Sequence, residues 1–112
     1  MKKTVITLFV LLNALYFNAA QAGSVTSALV TKIDYRDDGS VLITTDGTHA
    51  SKPACATSAL AQFVINASTT PYKNMLAGLM LAKAEGKPVT IMGANDCSLW
   101  STIERIDYVS AE

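Results

Sequence analysis

Cys55 and Cys97 are the only two cysteines in a chain of 112 residues. Joined, they close a loop of about 43 residues, and every fold open to the chain must bring those two positions together. Whether they join depends on compartment, and the first segment addresses that. Lys2 and Lys3 precede an apolar run from Val5 to Leu12, extended by Ala14 to Phe17, and Ala20-Gln21-Ala22 supplies a small-x-small site. Residues 1–22 therefore read as a signal peptide cut between Ala22 and Gly23. Asn13 and Asn18 interrupt the apolar run, which is short for a membrane anchor. Export places the protein in the periplasm or outside the cell, where two lone thiols pair. The competing use of these cysteines, a metal site, lacks ligands, since His49 is the only histidine. No Cys-x-x-Cys is present to suggest redox chemistry.

The remainder, residues 23–112, is one domain. It carries seven basic and nine acidic side chains, a balance that argues against a nucleic-acid binder of the basic-patch kind. Leu29, Thr31, Ile33 and Tyr35 alternate with Val30, Lys32, Asp34 and Arg36, the period of a half-buried strand. Asp37-Asp38-Gly39-Ser40 reads as a hairpin turn leading to a second strand at 41–45. Residues 46–58 are rich in turn formers and read as a long loop holding Cys55. A third strand is predicted over Leu60 to Ala67, with Ala61, Phe63 and Ile65 on one face.

A single helix is predicted over 71–86. Thr70 is placed to cap it, Pro71 suits its first position, and Gly86 stops it. Tyr72, Met75, Leu76, Leu79, Met80 and Lys83 form the expected inward stripe. The opposite face, Ala77, Gly78, Leu81 and Ala84, is small and apolar, as at an interface between copies; packing on the protein's own sheet is the alternative. Strands at 88–92 and 102–109 complete the order β-β-β-α-β-β. That order predicts a mainly β domain with one helix (α+β), a small five-stranded OB-like barrel. The alternative is an open antiparallel sheet with the helix on one face.

The run Cys55…Phe63-Val64-Ile65…Tyr72-Lys73-Asn74-Met75-Leu76…Ala82-Lys83-Ala84-x-Gly86-Lys87-x-Val89-x-Ile91-x-Gly93 leads into Cys97-Ser98-Leu99-Trp100-x-x-x-Glu104-x-Ile106-x-Tyr108. It resembles an uncharacterised family of small secreted proteins of Gram-negative bacteria, most specifically in the Cys-x-Leu-Trp-x-x-x-Glu ending. In the order of its elements the chain is also similar to the OB-fold B subunits of AB5 toxins, the pertussis-like and subtilase-cytotoxin-like ones. That likeness implies a disulfide-bridged barrel, assembly into a ring, and binding of cell-surface glycans.

Few residues offer chemistry. Asp46, His49 and Ser51 share a loop, but a triad is assembled across elements and such close spacing rarely forms a relay. His49 is expected as an exposed loop residue. Asp37 and Asp38 are turn residues, and Asn66-Ala67-Ser68, a glycosylation triplet, is read as chance. Glu104 alternates with Ile106 and Tyr108, so it is expected half-buried and paired with Lys32, Arg36 or Lys83. Trp100 is expected first to cover the Cys55–Cys97 bridge and the barrel end. It is also a sugar-stacking candidate, with Asn95, Asp96 and Ser98 to bond hydroxyls. The functional expectation is a secreted or periplasmic non-catalytic module that binds a cell-surface glycan and forms a homo-oligomer. A periplasmic inhibitor or immunity-like domain that binds another secreted protein is the alternative. No enzyme activity, metal, cofactor, nucleic acid or membrane span after cleavage is expected.

Overall fold

The computed structural model describes residues 22–112; all but the last residue of the expected signal peptide lies outside them. The elements are β1 (Ser24–Ala28), β2 (Val30–Tyr35), β3 (Ser40–Thr45), β4 (Phe63–Asn66), α1 (Thr70–Glu85), β5 (Val89–Gly93) and β6 (Glu104–Ala111). The strands make one curled, half-barrel sheet in the order β1-β5-β6-β4-β3-β2. Only β4 and β6 run parallel. A parallel pair needs a long crossover, and here α1 and β5 supply it.

The strands number six, not five, because Ser24–Ala28 forms a strand ahead of the first expected one, which corresponds to β2. The chain turns at Ser27, whose φ is 46°. The segment before Leu29 pairs with β5 and the segment after it with β3. Leu29 itself is exposed, its N–H donating to Asp46 Oδ1 at 2.8 Å. The expected inward face Leu29-Thr31-Ile33-Tyr35 is corrected accordingly. Val30 is buried and Ile33 packs on the core, while Thr31 and Tyr35 face solvent. A register shift between Val30 and Lys32 explains the odd interval, since an extra residue flips the faces beyond it.

The hairpin between β2 and β3 forms as expected. Gly39 takes a φ of 89°, and Asp38 Oδ1 accepts the Ser40 N–H at 2.9 Å. β4 is shorter than expected, and Leu60 lies exposed ahead of it.

β3 and β4 are covered on both faces. On one side Val41, Ile43, Phe63, Ile65, Val89, Ile91 and Ile106 form the main core under Leu79 of α1. On the other, Leu42, Val64, Ala61 and Ile103 form a smaller cluster, covered in part by Leu99 and Trp100. Ala61 therefore does not share a face with Phe63 and Ile65.

α1 buries Leu79 and Ala82, with Tyr72, Met75 and Leu76 packed beside them. Thr69 is the N-cap residue and makes no side-chain cap bond, so Thr70 is already inside the helix. Gly86 closes it in the left-handed conformation, and the Lys87 N–H returns to the Ala82 carbonyl at 3.0 Å. Met80 and Lys83 are exposed, so the inward stripe is narrower than expected. Among the described residues no helix is long and apolar enough to cross a membrane.

Candidate functional site

The loop joining β3 to β4 and the loop joining β5 to β6 meet at the Cys55–Cys97 disulfide, whose Cα atoms lie 6.2 Å apart. Beside that clamp sits Glu104, the first residue of β6, with no solvent exposure at all. Its Oε2 accepts the Gly23 N–H at 3.0 Å and the Asn95 N–H at 2.9 Å. Its Oε1 lies 2.7 Å from His49 Nε2. The ring nitrogen and the carboxyl oxygen share one hydrogen bond. His49 is held from a second side by the Phe63 ring, with centroids 4.4 Å apart.

Two expectations are corrected here. His49 is not an exposed loop residue; its side chain is 10% exposed. Glu104 is fully buried, and its partners are none of the three cations expected. Lys32 pairs with Asp34, Arg36 lies over Trp100, and Lys83 is exposed on α1. The cause is what surrounds the start of β6: the loop after β3 brings the His49 imidazole, while Gly23 ahead of β1 and Asn95 in the loop after β5 bring backbone N–H groups, which together satisfy a buried carboxyl without a long side chain. Nor do Asp46, His49 and Ser51 converge. Asp46 binds the Leu29 N–H while His49 turns inward.

The four residues expected to bind a ligand lie together after β5, but most of their polar groups are engaged. Arg105 grips Asp96 with two bonds, Nη2 to Oδ2 at 2.7 Å and Nε to Oδ1 at 3.1 Å. Ser98 donates to the same carboxylate from Oγ at 2.8 Å. The Arg105 guanidinium, aided against partial burial by Ser98, holds Asp96 well below the usual carboxylate range. The same contact, with the Tyr72 hydroxyl 3.2 Å from Nη1, raises Arg105 further above its usual value. Asn95 adopts a φ of 62° and lends its N–H to Glu104. Trp100 is half-buried on the smaller core cluster, and the Arg36 guanidinium sits 5.5 Å from its ring centroid.

A cleft of about 250 Å³ opens under the loop after β3, lined by Thr44, His49, Lys52, Ser58, Gln62 and Thr102 among others. Gln62 frames it: Oε1 accepts from Thr45, and Nε2 donates to the Gly47 carbonyl at 2.8 Å. Ser58 Oγ accepts from the Leu60 N–H, so its own hydrogen is free to point elsewhere. Sequence reading missed this cleft, because its hydroxyls come from three separate segments with no shared motif. Elsewhere, Ala77, Leu81 and Ala84 of α1 are exposed, and Gly78 is half-buried. Shallow, mainly apolar grooves flank the helix, one against Ile33 and Tyr35, another against Val109 and Ala111. No group of three His, Cys, Asp or Glu side chains that could hold a metal occurs among the described residues. Comparison of the chain with known protein families, with curated proteins and with solved structures yields no match.

Proposed function

We propose that the chain is a secreted or periplasmic, non-catalytic binding module that takes a carbohydrate of a cell surface. The observation that carries this reading is the cleft beside His49. Thr44, Ser58 and Thr102 bring hydroxyls to it, Lys52 a cation and Gln62 a rigid frame. Such a set suits a ligand made of hydroxyl groups better than an apolar one. The closest polar chemistry, His49 with Glu104, is spent on holding the fold together. We also read the fold as OB-like. β1 and β2 are separated by Leu29 alone, so counted as one bent strand they join the two ends of the sheet and leave five strands, the count of an OB-like barrel.

A glycan array probed with the exported protein tests the reading. Binding should fall at least tenfold in Lys52→Ala and Ser58→Ala, with the thermal midpoint unchanged. An array with no binder removes it.

A second reading rests on α1, whose Leu81 is 59% and Met80 47% exposed. Ala77, Leu81 and Ala84 form an uncharged stripe bordered by exposed Lys73 at one end and exposed Glu85 at the other. Such a stripe meets its own antiparallel image with Lys73 facing Glu85, so its occupant is a second copy of this chain. Sizing in solution checks this. A monomer that co-purifies with one other secreted protein would instead favour the inhibitor or immunity-like role.

A further inference from the structure

Gly23 is the first residue after the expected cleavage point, and it is buried. Its carbonyl accepts the Gly93 N–H at 2.7 Å, and the next residue, Ser24, exchanges two bonds with Ala50, each of 2.9 Å. These bonds fix the Gly23 nitrogen 3.0 Å from Oε2 of the buried Glu104. A side chain at position 23 would collide with that carboxylate and with the His49 ring, and one at Gly93 would collide with the carboxylate from the other side. The two glycines are thus a tight sleeve around a carboxyl group.

Among the described residues no lysine or arginine pairs with Glu104. Two of its three hydrogen-bond partners are backbone amides, and the third is an imidazole. The one full cation adjacent in sequence, Arg105, points to Asp96 and Tyr72 instead. Both bonds to Oε2 come from backbone N–H groups. A carboxyl group held wholly out of water is costly to ionise unless a charge answers it.

We infer that removal of the leader supplies that charge: the new α-ammonium of Gly23 is the counter-ion of Glu104. This rests on the export reading. Hydrolysis of the Ala22–Gly23 peptide bond by a leader peptidase consumes one water, leaves a carboxylate on Ala22 and frees the Gly23 amine. That amine is protonated at neutral pH. The donor atom already in place becomes the cation, so cutting the chain replaces a neutral amide donor by an ammonium and makes a buried ion pair. Processing then does more than release the protein; it completes the polar centre of the domain.

The experiment compares two exported proteins. One derives from the natural precursor. The other derives from a precursor with one extra alanine between Ala22 and Gly23, so that cleavage after Ala22 leaves Gly23 as an amide. Intact mass gives each starting residue. A natural product that does not begin at Gly23 overturns both the cleavage reading and the inference. With both starts confirmed, the Gly23-first protein should melt about 5 °C or more above the extended one. Its α-amine should also resist acylation far longer than its surface lysines do. In Glu104→Gln the gap between the two starts should close. Equal melting, or an α-amine that reacts as fast as an exposed lysine, overturns the ion pair while leaving export intact.

Discussion

The end of the molecule around Glu104 and the flank formed by α1 treat polarity in opposite ways. At Glu104 a carboxyl group is taken wholly out of water and each of its oxygens has a hydrogen-bond partner. No buried side-chain polar atom among the described residues lacks a partner. On α1 apolar side chains stand in water, although the same helix supplies Leu79 to the core. The first arrangement is expensive to break and forgives no change of shape. The second costs the isolated domain little to alter. Exposed Leu81 takes little from stability, which rests on the buried core and on the covalent clamp. The contrast also separates roles: the Glu104 end holds the two long loops in place, and α1 is the surface left free.

The sharpest way to break the comparison is Glu104→Ala. It strips three groups of their hydrogen-bond partner and leaves a cavity next to Phe63 and His49. Unmet buried polar groups and the lost volume together should cost about 5 kcal/mol. Stability of a domain this size is of that order, so urea titration should find the variant largely unfolded. A loss below 1 kcal/mol would show that the buried carboxylate is not part of the framework.

Next in size is the clamp. Replacing Cys55 and Cys97 together by serine frees a loop of about 43 residues and should lower stability by roughly 4 kcal/mol in the chain-entropy account. The loss should appear as a lower urea midpoint with the same far-ultraviolet circular dichroism below it. Because Cys97 lies in the loop that also carries Asn95, the double variant should loosen Glu104 as well.

Sequence alone reached the bridge, the hairpin at Gly39 and the helix stop at Gly86, since each depends on local chemistry that a few residues carry. It misread β2, because a register shift at Val30 cancels a clean alternation and depends on which strand lies opposite. It took His49 for an exposed residue and sought a lysine or arginine for Glu104. Charge pairing looks for the complementary side chain, whereas this carboxylate is met mainly by backbone N–H groups that no residue letter reveals. Gly23 and Gly93 leave room for that carboxyl group, but they lie 81 and 11 residues from it in the chain, so only the fold connects them to it.

A smaller effect separates Asp96 from Glu104. Asp96 titrates lower in the folded protein than in the unfolded chain, chiefly through Arg105. Its contribution is therefore present above about pH 4, and it fades as the pH falls toward the depressed folded value. The pair is a third exposed on each side, so solvent screening keeps the contribution under about 1 kcal/mol. Melting between pH 6 and pH 2 should show a steeper acid loss for the natural protein than for Asp96→Asn. Parallel curves would mean that the bidentate contact adds nothing to stability.

The smallest expected change in stability, and the largest in assembly, belongs to Leu81→Glu. The side chain points to solvent and touches no part of the core, so the melting midpoint should move by no more than about 0.5 kcal/mol in free energy. If copies meet through this face, two such glutamates oppose each other across the contact, and the like charges should reduce association strongly. Analytical ultracentrifugation of the two proteins at equal concentration gives the answer. A natural protein that sediments as an oligomer and a variant that sediments as a monomer, both equally stable, would place the interface on α1. A variant that stays assembled would move the interface off the helix. A variant that melts early would show that Leu81 supports the core, and the division between a rigid polar end and a free apolar flank would fail.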